Sequence, residues 1–152
     1  MTDPVELTKR LVTIESCNPG VGEGRLGDYI YERLESRGIP VRKQQVLTGR
    51  FNIIAKIEGS SEKPPLVLIC HMDTVVVGDG WTVAPFEAEE KNGRIYGRGA
   101  CDMKSGLSCA LSTFEELWEV GRKPGRTLLF IATVDEEAEM NGIQAVLREG
   151  LI

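Results

Sequence analysis

The sequence predicts an α/β fold, a three-layer sandwich built on a mostly parallel central sheet. Three observations predict it. Segments with helical spacing of apolar residues are interspersed with short strand-like segments. Two of the strand candidates, Leu66 to Cys70 and Leu128 to Val134, are nearly continuous apolar runs, the pattern expected of strands covered on both faces. Histidine and carboxylates stand just beyond those two runs, at the sheet edge where open α/β folds bind ligands.

The elements follow in order. Residues 4 to 15 place Val5, Leu7, Leu11, Val12 and Ile14 near helical spacing, with Thr2 or Asp3 as cap and Pro4 in the first turn. Asn18-Pro19-Gly20 breaks the chain. A second helix is expected from about Gly24 to Arg37, with Leu26, Ile30, Tyr31 and Leu34 on one face and Gly38 at its C-terminal cap. Val41 to Val46 alternates and is polar, as an edge strand would be; Asn52 to Ile57 is more apolar. Lys91-Asn92-Gly93-Arg94 predicts a turn before a short strand at Ile95-Tyr96. Leu107, Leu111, Phe114, Leu117 and Trp118 share one face of a helix from about Ser105 to Val120. The buried run from Leu128 and a helix over Gly142 to Arg148 complete the set.

Composition narrows the function. The 152 residues suit one domain, which buries roughly 70% of its unfolded surface. Hydrophobic residues make up 41% and charged residues 27%, an ordinary globular balance. The net charge of −5 disfavours nucleic acid and anionic membrane as partners, since both need basic surface. Met1-Thr2-Asp3-Pro4 carries no basic or apolar leader pattern, and no apolar run is long enough to span a bilayer. Cys17, Cys70, Cys101 and Cys109 show no pairing spacing, so reduced thiols and a cytoplasmic location are expected.

Three segments carry chemistry. In Cys70-His71-Met72-Asp73, His71 and Asp73 are expected to project together, because strand side chains alternate. A neutral imidazole ligates zinc, and an adjacent carboxylate fixes its tautomer. An isolated pair of this kind more often means a core histidine with a local hydrogen bond. Gly97 to Lys104 forms a glycine-flanked loop with Asp102 at the head of a helix. Alone, Asp102 has the look of a plain N-cap. Asp135-Glu136-Glu137 ends the second buried run, and clustered carboxylates repel unless cations compensate them. Nitrogen and oxygen donors without cysteine suit a catalytic metal site better than a structural one.

Together the segments resemble the family of dinuclear zinc hydrolases that includes acetylornithine deacetylase, succinyl-diaminopimelate desuccinylase, aminoacylase and carboxypeptidase G. That family's pattern has a strand-end H-x-D, a tryptophan with Pro-Phe, Gly-Arg-Gly-x-x-Asp-Met-Lys, then Asp-Glu-Glu. This sequence has His71 and Asp73, Trp81, Pro85-Phe86, Gly97 to Lys104 and Asp135 to Glu137 in that order.

The resemblance implies a zinc-exopeptidase-like catalytic domain that hydrolyses the amide of an N-acyl amino acid or small peptide. It implies two Zn2+ ions, with Co2+ or Mn2+ as alternatives. His71 would ligate one ion, Asp102 both and Glu137 the other. Asp73 would support the His71 ring, and Glu136 would be the general base. A cis peptide is implied at Asp102-Met103. Cys70, Cys101 and Cys109 are expected to be packing residues, Trp81, Pro85 and Phe86 to shape the loop, and Arg98 and Lys104 to balance the acidic site.

The family pattern also needs a further carboxylate and a second histidine. His71 is the only histidine here. Residues 1–152 are therefore expected to form the N-terminal portion of the catalytic domain, without a lid or dimerisation domain, and to be inactive alone. The intact protein is expected to be a homodimer, and the isolated chain to associate with itself or with a missing C-terminal half. A split enzyme and a non-catalytic metal-binding or interaction domain remain as alternatives.

Overall fold

The computed structural model describes residues 2–20 and 22–152. Met1, the first residue of the start segment read above, and Val21 lie outside them. The elements are α1 (Pro4–Val12), α2 (Gly22–Glu35), β1 (Val41–Leu47), β2 (Arg50–Ile57), β3 (Leu66–His71), β4 (Glu89–Lys91), β5 (Arg94–Tyr96), α3 (Ser105–Glu119), β6 (Leu128–Thr133) and α4 (Asn141–Glu149). No helix among the described residues is long and apolar enough to cross a membrane.

The three layers are present. Leu7 and Leu11 of α1, Leu26, Ile30 and Leu34 of α2, and Leu107, Leu111 and Phe114 of α3 pack in one core with Ile53, Ala55, Phe130 and Ala132 of the sheet. The alternate residues Ile54, Leu129 and Ile131 face the other way, onto Ile143 and Val146 of α4. Period-two alternation thus divides each central strand between two helical layers.

The sheet order is β1-β2-β6-β3. Here the expectation of a mostly parallel sheet needs correction. Only the β3–β6 pairing is parallel; β1–β2 and β2–β6 are antiparallel. Thr48-Gly49 joins β1 to β2 directly, with Gly49 at φ 70°. So short a link permits only antiparallel neighbours.

A second correction concerns β3. Leu66 is 51% and Ile69 42% exposed, so the run is not covered on both faces. It is an edge strand that pairs with β6 alone among the described residues, and α4 packs over the β1–β2–β6 side. By contrast, every residue of β6 is buried.

Local signals account for most boundaries. Asp3 caps α1, its side chain accepting from the Val5 N–H at 2.8 Å. Asn92 and Gly93, both at positive φ, turn β4 into β5. The strand expected at Ile95-Tyr96 is β5; β4, which is short and exposed, is an addition to the expected set. Cys101 and Cys109 are exposed, contrary to expectation: Cys101 lies in the turn before α3, and Cys109 lies on α3 outside its buried Leu107, Leu111 and Phe114 stripe.

Candidate metal centre

Because β3 and β6 run parallel and in register to His71↔Thr133, their carboxyl ends place His71 and the Asp135–Glu137 turn side by side. His71 is 8% exposed and Asp73 is 1% exposed. The His71 ring lies between two partners. Its Nδ1 meets the Asp73 carbonyl at 3.0 Å, and its Nε2 meets Asp102 Oδ1 at 3.0 Å. The Asp73 carboxylate stands 3.6 Å from Nδ1, so it acts on the ring by charge while the backbone carbonyl takes the hydrogen bond.

That carboxylate holds the acidic turn as well. Its Oδ1 accepts the backbone N–H of Glu136 at 3.1 Å, and its Oδ2 accepts that of Glu137 at 2.9 Å. Asn18 Nδ2 donates to Asp73 Oδ2 at 3.0 Å. Burial works against the charged carboxylate, but His71, Asn18 and the two N–H groups outweigh it and hold Asp73 down at about 2. Burial likewise disfavours the imidazolium, yet the Asp73 and Asp102 carboxylates raise His71 to about 9.

Asp102 is not the helix cap that it resembles in isolation. Its backbone is extended (φ −120°, ψ 107°) within the turn preceding α3, and α3 has no side-chain cap. Its side chain is 77% exposed and turned onto His71. The peptide bond that follows it is cis, as the resemblance implied.

One ligand atom each from His71, Glu136 and Glu137 lie within 4.8 Å of one another, a spread that a single cation can bridge. Burial raises the Glu137 carboxyl, His71 opposes the rise, and Asp102, Glu136 and Asp73 add to it. Such crowding of carboxylates around one imidazole is relieved by a cation. Asp135 behaves differently from its neighbours. It is 3% exposed and turned inward, where Arg50 Nη2 donates to it at 2.7 Å.

The neighbouring motif residues have structural roles. Trp81 Nε1 and Arg98 Nη2 both donate to the Val77 carbonyl, at 2.8 and 2.7 Å, and the Arg98 guanidinium lies 5.2 Å from the Trp81 ring centre. Lys104, 1% exposed, donates to the Ile14 carbonyl at 2.7 Å. Neither cation makes an ion pair with a site carboxylate among the described residues, which corrects the charge-balancing expectation. Three residues behind the site, Asn18, Glu23 and Arg50, were missed by sequence reasoning. Only Glu23 gave a signal, as a charged residue on the stripe of Leu26 and Ile30.

The chain resembles known proteins over most of its length. It is 36% identical over 155 aligned positions to a probable succinyl-diaminopimelate desuccinylase of Staphylococcus aureus (strain Mu50), an alignment covering all of this chain and 36% of that protein. It is 34% identical to the succinyl-diaminopimelate desuccinylase of Caulobacter vibrioides, covering 99% of this chain and 38% of that one. The chain thus spans about a third of the length of these relatives. Human carnosine dipeptidase 1 shares its fold, with a TM-score of 0.80 at 21% identity over 96% of this chain and 34% of that one. Aminopeptidase PepT from Bacillus cereus superposes with a TM-score of 0.75 at 26% identity, covering 97% of this chain and 40% of that one. The family model for peptidase family M20/M25/M40 matches residues 67–152, more than half of the chain and all three chemistry-bearing segments. The chain belongs to peptidase family M20/M25/M40.

Proposed function

We propose that residues 1–152 are the N-terminal, metal-binding portion of the catalytic domain of a metal-dependent amidohydrolase. Its substrate class is an N-acyl amino acid, with succinylated amino acids favoured and small peptides next. The observation that carries this reading is the convergence of His71, Glu136 and Glu137 ligand atoms within 4.8 Å, with Asp102 3.0 Å from the same imidazole. The desuccinylase relatives at 36% and 34% identity support the substrate class.

The donor set fits a divalent transition ion, because it joins one imidazole to hard carboxylates and contains no thiolate. We assign zinc, with cobalt or manganese accepted by the same donors. His71 and Asp102 would hold one ion, and Asp102 and Glu137 a second. When bound, such ions lower the pKa of water and polarise an acyl oxygen. The chain's own residues do the rest. Asp73 orients the His71 ring and fixes the turn that presents Glu136 and Glu137. The Glu136 carboxylate is 43% exposed and accepts no hydrogen bond from the described residues, which leaves it able to take a proton from water and return it to a leaving amine. A cytoplasmic homodimer for the intact protein belongs to the same reading.

Zinc titration calorimetry on the purified chain, beside Asp102→Asn, tests it. Micromolar or tighter binding that is lost in the variant is the expected result. Absence of binding by the unaltered chain would overturn the assignment of a metal site to these residues.

A further inference from the structure

Behind the proposed metal centre lies a buried polar network. Arg50, 9% exposed and at the start of β2, reaches between two carboxylates. Its Nε donates to Glu23 Oε2 and its Nη2 to Asp135 Oδ1. Glu23, fully buried in the first turn of α2, accepts the Asp135 backbone N–H at 2.7 Å through its other oxygen. Asn18 Nδ2 joins Asp135 Oδ1 to Asp73 Oδ2, at 3.0 Å each. Asn141, the first residue of α4, donates to Asp135 Oδ2 at 2.6 Å.

Asp135 is thereby held from α2, β2, α4 and the Asn18 loop at once. Its backbone sits at φ 67°, a left-handed conformation that non-glycine residues adopt rarely, Asp and Asn most readily. The next two residues are Glu136 and Glu137. Whatever fixes the backbone of Asp135 sets the direction in which those carboxylates leave the turn.

We propose that Arg50 and Asp135 are positioning residues, a buried ion pair that aims the Glu136 and Glu137 carboxylates at His71. The proposal rests on the reading of His71 and Glu137 as metal ligands. It adds two residues beyond those proposed to hold the ions, whose side chains meet protein groups. Supporting groups of this kind are worth on the order of 10- to 100-fold in metal affinity.

The test is cobalt(II) titration of the 152-residue chain, followed by calorimetry and by the visible absorption band, with near-UV circular dichroism as the fold control. The variants are Arg50→Met, Arg50→Lys, Asp135→Asn, the Arg50→Met/Asp135→Asn double and Asn141→Ala. Arg50→Met and Asp135→Asn should each weaken cobalt binding about 10- to 100-fold and alter the band. The double variant should be no weaker than the worse single one by more than about threefold, since the two act as one unit. Arg50→Lys should recover part of the loss. A band and affinity equal to those of the unaltered chain in folded Asp135→Asn and Arg50→Met would overturn the proposal, even with a lowered melting temperature. If Arg50→Met does not fold, unchanged bands in both Asp135→Asn and Asn141→Ala would overturn it. An unaltered chain that takes up no cobalt would overturn the metal reading beneath it; normal uptake with indifferent variants would overturn the positioning role alone.

Discussion

The carboxylate of Asp73 accepts the backbone N–H of Glu137 at 2.9 Å. The residue two places beyond the candidate ligand His71 therefore also fixes the candidate ligand at the end of a different strand. Asp73→Ala should orphan the Glu136 and Glu137 N–H groups together and leave the Asn18 amide with Asp135 alone as acceptor. Loss of about 2–4 kcal/mol of stability is expected from such buried, unpaired donors. Zinc affinity should fall by about 10- to 100-fold. Urea denaturation and calorimetry measure the two effects; an unchanged affinity would separate Asp73 from the site.

The metal-free His71 imidazolium persists to about pH 9, and a ligand imidazole must be neutral. Apparent zinc affinity should therefore rise about tenfold per pH unit up to about pH 9 and then level off. Calorimetry in two buffers of different ionisation enthalpy should show close to one proton released below that pH. The metal-free fold responds to pH in the opposite direction. The His71 contribution is complete below its ordinary value of 6.5 and is lost as pH rises through about 9. Asp73, held at about 2, contributes above its ordinary value of 3.8 and is lost only as pH falls through about 2. Denaturation midpoints of the metal-free chain should decline as pH rises toward about 9, and His71→Gln should start lower at neutral pH and lack that decline.

Glu115 of α3 is 1% exposed and takes a two-pronged contact from Arg33 of α2, at 2.6 and 2.8 Å. Removing Arg33 leaves a buried carboxylate with the neutral Thr2 hydroxyl, at 3.0 Å, and the longer 3.7 Å contact to Arg37 as its remaining partners among the described residues. Arg33→Ala should cost about 3 kcal/mol, read from urea midpoints.

Gly142→Ala should disturb the connection from β6 to α4 sterically. A Cβ at this position would lie 2.2 Å from the Val134 carbonyl oxygen and 2.8 Å from Asn52 Oδ1. Backbone cannot yield, so α4 must move off β6. A melting temperature lowered by several degrees, together with weakened zinc binding, is the expected outcome.

The open edge of β3 should promote self-association of the isolated chain, because Leu66 and Ile69 are 51% and 42% exposed on a strand that pairs on one side only among the described residues. Sedimentation should show concentration-dependent association that Ile69→Lys suppresses. The same chain should show no appreciable turnover of N-acyl amino acids, since His71 is its one histidine; robust metal-dependent hydrolysis would contradict this.

Local order was legible from residue spacing alone. The α1, α2 and α3 stripes (Val5 and Leu117 apart, which are exposed), the Asn92-Gly93 turn, the edge position of β1 and the fully covered run of β6 follow from periodicity and turn chemistry, which depend on near neighbours in the chain. Position of the proposed site was legible too, because the ends of two apolar strands in one sheet share an edge. The motif residues His71, Asp102, Glu136 and Glu137 do meet there.

Tertiary structure decided the remainder. Strand direction did not follow from apolar runs, because β1 and β2 form a hairpin whichever face they cover. Exposure of β3 depended on which strands flank it, a fact outside its own six residues. Asp102 has the sequence position of a cap, and only its extended backbone turns it onto His71. Arg50, Glu23 and Asn18 meet Asp135 across separations of 85, 112 and 117 positions. No periodicity links residues so far apart. The sequence by itself determined which groups can ligate and where strands and helices begin. Folding decided which buried charges compensate one another, because burial makes an uncompensated charge costly and only the packed chain shows which partners lie within reach.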